Sequence, residues 1–387
     1  QNPVQFCFNL LTRSRRITYE NLKLRDPEFA ARVDEEFART QGIVGSAPAM
    51  FQPYRIGGLE LKNRIVVSPM DMYSATDGVP GNFHLVHLGS KALGGAGLVM
   101  TEMVCVSETG RITPGCSGLY NEAQQESWRG IVDFVHHRST AAIGVQLGHS
   151  VRKGSTKLMW EGIDEPLPEG GWEPVGPSAV PYGPESPAPR EISRAEMDQV
   201  RDEFVAATVR AAASGFDLLE LHCAHGYLLS SFLSPLANRR SDEYGGSLEN
   251  RLRYPLEVFA AVRAAWPADK PLTVRLSATD WAPGGNDEHD AVAIARAFVE
   301  HGADGVDVSS GQVVKEEKPA YGRSYQTPFA DRIRQEVAHK AGVAVIAVGA
   351  VSSYDDVNSI LLAGRADLCA LGHRLVAQVE HAAPAAA

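Results

Sequence analysis

An α/β fold, with eight parallel strands closed into a (β/α)8 TIM barrel, is predicted by the alternation of two patterns. Eight short apolar runs occupy residues 65–69, 98–103, 143–147, 218–222, 272–277, 305–309, 343–348 and 368–371. Amphipathic stretches separate them near 85–95, 122–137, 193–214, 248–266, 287–301, 328–341 and 353–363. Strands alternating with helices give a parallel sheet, and eight of them favour closure. An open doubly wound sheet is the structural rival, but it usually has fewer units and a glycine-rich first turn, which the first strand here lacks.

Two segments depart from the pattern. Residues 148–192 are rich in Pro and Gly and nearly devoid of periodicity. A loop of that length inside a barrel is usually functional, and after the third strand it would overhang the active-site face as a lid. Residues 1–47 are charged and hold a helical stretch from about 27 to 40, with Phe29, Val33 and Phe37 at helical spacing. The expected organisation is an N-terminal extension (1–47), a barrel (48–378) and an Ala/Pro tail (379–387). The chain opens on Gln1 in mid-pattern, which suits a piece of something longer, and its last residues suggest a truncated or rearranged C-terminus.

Composition narrows the function classes. The 387 residues carry a formal charge of −10 and a pI near 5.7, which argues against nucleic-acid or anionic-membrane partners. No stretch approaches the ~20 uninterrupted apolar residues of a membrane span. Cys7, Cys105, Cys116, Cys223 and Cys369 are scattered and lack CxxC spacing. Reduced thiols in a cytoplasmic protein fit them better than a disulfide framework or a zinc site.

The chemistry concentrates in residues 217–254, DLLELHCAHGYLLSSFLSPLANRRSDEYGGSLENRLRY. The apolar run ends at His222, and His225 and Tyr227 follow at once. A buried strand would deliver these rings into a cavity, a turn-rich loop from Pro235 to Gly246 would follow, and Ser247 would open the next helix. A His-x-x-His metal site is one reading, but no third ligand lies at fixed spacing. Satisfied core histidines are another. Arg275, inside the apolar run LTVRLSATD, needs an anionic partner, either a carboxylate on a neighbouring strand or a bound ligand.

This stretch resembles the fourth-strand signature of the Old Yellow Enzyme family, FMN-dependent NAD(P)H:ene reductases, and the resemblance spans about residues 51–372. It implies a ping-pong reaction: NADH or NADPH reduces FMN, and hydride then passes to the β-carbon of an alkene activated by a carbonyl or thioester. It further implies that His222 and His225 donate hydrogen bonds to the substrate carbonyl oxygen, that Tyr227 gives the proton, and that Tyr73 is a second substrate contact. FMN would lie against Ser68, Pro69, Met70 and Asp71 at the end of the first strand, with Met103, Gln146 and Arg275 around its ring. Gly349, Gly372 and His373 would meet its phosphate. The thermophilic-like branch has cysteine where Asp71 stands, and a carboxylate there would make the flavin harder to reduce. The family usually has Gly-Arg at the phosphate, whereas here His373 follows Gly372 and Arg374 comes one place later.

Residues 1–47 resemble the tail of a flavoprotein aromatic-ring hydroxylase domain. In bifunctional aminobenzoyl-CoA or salicylyl-CoA enzymes of aromatic degradation, such a domain precedes a module of this kind. The substrate is therefore expected to be an α,β-unsaturated carbonyl or an acyl-CoA, the assembly a homo-oligomer, and the site free of metal. A free-standing enone reductase and a weakly active flavin-binding module are the alternatives.

Overall fold

A computed structural model describes residues 23–40 and 48–372. Eight strands form the barrel: β1 (Ile65–Val67), β2 (Leu98–Cys105), β3 (Ala142–Gly148), β4 (Leu218–Cys223), β5 (Leu272–Ser277), β6 (Gly305–Ser309), β7 (Ala344–Ala347) and β8 (Leu368–Leu371). Each pairs in parallel with its sequence neighbours, and β8 returns to β1, so the sheet has no open edge. Every expected strand is present with its ends shifted by no more than two residues.

Seven helices follow the first seven strands: α1 (Asn82–Leu93), α2 (Glu122–Arg138), α3 (Arg194–Ala213), α4 (Leu248–Ala265), α5 (Glu288–Glu300), α6 (Thr327–Ile333) and α7 (Tyr354–Leu362). Local chemistry fixes their starts. Ser193 Oγ accepts the N–H of Glu196, whose carboxylate accepts the N–H of Ser193 in return, a capping box at α3. Ser247 opens α4 as expected, accepting the N–H of Asn250, and Asp287 caps α5 through the N–H groups of His289 and Asp290.

Alternation sorts each strand into two faces. Leu219, Leu221, Val274, Leu276, Val306 and Val308 point outward and join the helices in one core. Val66, Leu98, Met100, Ala142, Leu218, Ala344, Ile346, Leu368 and Ala370 point inward and fill the lower barrel. The floor is closed by a hairpin absent from the sequence reading, Tyr54–Ile56 paired with Leu59–Leu61, whose Ile56 and Leu61 enter that inner cluster.

The segment after β3 does form a lid. Its two short strands, Val175–Gly176 and Arg190–Glu191, pair, and Thr156 bridges Pro166 at the base of a tongue over residues 155–172. The N-terminal helix Pro27–Thr40 also forms. No helix among the described residues is long and apolar enough to cross a membrane.

The outer core carries much of the stability. Phe259 is fully buried and meets Phe298 edge-on at 5.4 Å. Phe259→Ala is expected to cost about 3–5 kcal/mol, read as a lowered urea midpoint.

Candidate active site

Above the apolar lower barrel the inward positions turn polar. Gln146, Glu220, Thr273, Arg275 and Asp307 face inward from β3 to β6 and are all buried. Arg275 is the register partner of both His222 and Asp307. Its Nε lies 3.3 Å from Asp307 Oδ2, yet the angle is poor, so Arg275 Nε and Asp307 Oδ1 both lack a hydrogen bond among the described residues. Glu220 accepts from Gln146 Nε2 at 2.9 Å and from Thr273 Oγ1 at 3.1 Å. Burial, then the Asp307 charge, pushes the Glu220 carboxyl up to about 8. Burial likewise raises Asp307, while Arg275 opposes the rise.

Because Gln146 gives its amide nitrogen to Glu220, its oxygen is the end left for a ligand. The N–H groups of Met70 and Asp71, at the end of β1, donate to nothing among the described residues. An acceptor-rich, partly anionic ring edge would satisfy these groups and the free side of Arg275, which is the donor set that FMN needs.

The first two strands add a carboxylate pair. A bulge in β2 between Met100 and Met103 coincides with Glu102 turning to accept the Met72 N–H at 2.7 Å. Glu102 also meets His84 Nε2 at 2.8 Å. Met103 donates its N–H to Asp71 Oδ1 at 3.1 Å. Burial, reinforced by Glu102, pushes Asp71 up to about 7, although Met103, Arg275 and Lys153 pull the other way. Near neutrality Asp71 is therefore partly protonated, and the expected effect on the flavin belongs to its ionised form.

His222 and His225 come together with Tyr227. The His222 ring stands perpendicular to both neighbours, each 5.0 Å away. His222 Nδ1 accepts the N–H of Ala224 at 3.2 Å, which leaves the proton on Nε2. His225 has a left-handed φ of 62°; its N–H donates to Ser277 Oγ, and its Nε2 meets Ser309 Oγ at 2.7 Å. Burial holds both imidazoles well below the usual histidine range, with Arg275 the next cause. Burial also holds the Tyr227 hydroxyl well above its usual range, so it stays protonated. Tyr73, at φ 49°, packs with Tyr227, Met103, Cys105 and Cys116.

Other expected residues reach the same rim by different routes. Ser68 donates its N–H to Leu371 across the β1–β8 seam, and a Cβ on Gly372 would lie 3.8 Å from Met70. Pro69 lies between Ser68 and Met70 on that turn and is half-buried. Gly349, at φ 103°, has no room for a Cβ because the Gln326 side chain occupies that space. His373 lies outside the described residues. His149, just beyond β3, is buried, with Nδ1 accepting the N–H of Val151; burial pushes it down to about 4.

The charged loop after β4 proves to be scaffolding. Asn238 bridges the carbonyls of Phe232 and Tyr244. Arg251 gathers the carbonyls of Leu233 and Gly246. Sequence reasoning missed Lys153, Glu220, Glu102 and Asp307. Glu220 and Asp307 carried the same signal as Arg275, a charge within an apolar run. Lys153 lay in aperiodic sequence with none.

Residues 49–385 match the NADH:flavin oxidoreductase / NADH oxidase family, and the chain belongs to it. The NADPH dehydrogenase of Geobacillus thermodenitrificans (strain NG80-2) is 41% identical over 329 residues, 84% of this chain and 90% of that protein. The Listeria innocua NADPH dehydrogenase is 40% identical over 329 residues, 84% of this chain and 91% of that protein. Among solved structures, morphinone reductase in complex with tetrahydroNAD superposes with a TM-score of 0.71 at 28% identity, covering 85% of this chain and 88% of that one. A 2-naphthoyl-CoA reductase bound to 2-naphthoyl-CoA gives 0.76 at 25% identity over 86% of this chain, which spans about half (51%) of that chain. The Old Yellow Enzyme resemblance therefore holds. The protein is an FMN-dependent oxidoreductase with a nicotinamide reductant, of the ene-reducing kind in general terms. The family match starts at residue 49 and lends nothing to the hydroxylase likeness of residues 1–47.

One expectation concerns the free protein directly. In 15N-resolved spectra His222 should show the neutral Nε2–H form and should not titrate between about pH 5.5 and 8, given the ordinary histidine value near 6.5. A midpoint inside that window would contradict the geometry.

Proposed function

We propose that the protein reduces the C=C bond of α,β-unsaturated carbonyl compounds, with His222 and His225 holding the carbonyl oxygen and Tyr227 supplying the proton. The observation that carries this is the fixed tautomer of His222. With Nδ1 committed to the Ala224 N–H, a neutral ring has one proton to offer, on Nε2. His225 is held from the far side by Ser309, so Nδ1 is its nitrogen left for a ligand. Two neutral donors on one oxygen stabilise the enolate that develops as the β-carbon is reduced, the logic of an oxyanion hole. They do so without adding positive charge beside Arg275.

Bound FMN would supply the redox step, accepting hydride from the nicotinamide and passing it to the alkene. Met70 and Asp71 amides, the Gln146 oxygen and Arg275 would hold its ring, and Gly349 and Gly372 would border its phosphate, with His373 beside them. Tyr227 keeps its proton through the working pH range and can deliver it to the α-carbon as general acid. Tyr73 would line the same pocket.

A CoA thioester is the second reading, favoured by the likeness to 2-naphthoyl-CoA reductase. The lid tongue weighs toward a neutral enone: across residues 155–172 one lysine stands against four carboxylates, a poor approach for a polyanion.

The double variant His222→Ala with His225→Ala should keep FMN and lose about hundredfold in 2-cyclohexenone affinity, two hydrogen bonds' worth. Unchanged enone turnover would sink the assignment. Asp71 makes a separate forecast. Its raised value means the carboxyl is mostly neutral well below pH 7 and ionised well above it. Asp71→Asn or Asp71→Cys should therefore raise the flavin midpoint potential by about 30–60 mV at pH 8.5, since ~30 mV is 1.4 kcal/mol for a two-electron couple. At pH 5.5 the change should be small. Equal shifts at both pH values, or a fall at pH 8.5, would refute it.

A further inference from the structure

Lys153 ends the short helical turn Val151–Lys153 with which the lid begins. Its Nζ donates to the carbonyl oxygens of His225 and Gln312, each at 3.1 Å. Both acceptors are non-glycine residues in the left-handed region, φ 62° and 67°, and each adjoins a left-handed glycine, Gly226 at 72° and Gly311 at 71°. Such conformations persist only where their surroundings hold them. The two turns sit back to back, since a Cβ on Gly226 would come within 2.6 Å of the Gln312 carbonyl oxygen.

The ammonium is otherwise enclosed by aromatic faces, Tyr182 at 4.3 Å and Tyr227 at 5.2 Å. Among the described residues no carboxylate forms an ion pair with it. Burial pulls it down to about 8, so it remains mostly charged at neutral pH. Its neighbour Arg152 works in parallel, donating to the carbonyls of Val180, Pro181 and Val313 and so tying the lid to the loop after β6. A buried cation satisfied by carbonyl dipoles rather than by a counter-ion is a geometric device: it draws two backbone oxygens to one point.

We propose that Lys153 is a positioning residue, which clamps the left-handed turns after β4 and β6 together and thereby sets the His225 imidazole for the substrate carbonyl oxygen. This rests on the reading of His225 given above. Lys153 touches neither reacting atom. It acts through the backbone of the residue that holds the oxygen.

The test is a cycle on the FMN-loaded full chain with 2-cyclohexenone as probe: Lys153→Met, His225→Ala and the pair. Lys153→Met should retain FMN and cooperative unfolding yet weaken enone binding about tenfold, the effect of one displaced hydrogen bond. In the His225→Ala background the same change should cost less than twofold, because the group it positions is gone. Full additivity, or unchanged enone affinity in Lys153→Met, would overturn the clamp. If His225→Ala itself leaves enone binding intact, the assignment of His225 falls, and the clamp with it. Should Lys153→Met fail to fold, Lys153→Arg replaces it, since the longer, planar guanidinium cannot place a donor where Nζ stands without moving the two carbonyl oxygens. A shifted His225 ring resonance with weaker enone binding then supports the clamp, and wild-type values for both refute it.

Discussion

The upper barrel depends on one buried guanidinium. Arg275 stands inside a closed sheet with Glu220 and Asp307 facing inward from the strands on either side. Two carboxylates and one cation cannot all be charged there without a large desolvation cost. Burial raises both carboxyls, Glu220 to about 8, so that Glu220 mostly carries a proton at neutral pH, while Asp307 is the carboxyl that lies against the guanidinium. From this layer the remaining geometry follows. Glu220 orients the Gln146 amide, and Arg275 adds to the burial that holds both histidines below their usual range. It also presents a side that Asp307, through poor alignment, fails to satisfy.

The barrel was legible because its signal repeats. Eight apolar runs, each bounded by turn-formers, leave few topologies open. Caps such as Ser193 and Ser247 mark helix starts by local chemistry alone. His222, His225 and Tyr227 stood out because a strand end is where a barrel does chemistry. Other features gained meaning only on closure. In the turn-rich loop after β4, Arg240 pairs with Asp242 and caps lid carbonyls, as an ordinary buttress would. Lys153 is the reverse case. It lies in aperiodic sequence, and its two acceptors are 72 and 159 residues away. The floor hairpin did leave a trace, since Gly57-Gly58 between two short apolar runs is a hairpin signal. Its brevity hid it.

Asp71 shows how an environment rewrites a residue's part. A carboxylate beside a flavin reads as a fixed negative charge. Placed next to Glu102 and away from water, it becomes a group that holds its proton through mildly acidic conditions. Where the cysteine branch has a thiol, this chain has a carboxyl that answers to pH, with the Met103 N–H donating to it.

The sealed floor has a consequence for traffic. Ile56 and Leu61 stopper the lower end of the cylinder, and the lid crowds the upper one, so reductant and oxidant share a single doorway onto the same chamber. They must take turns.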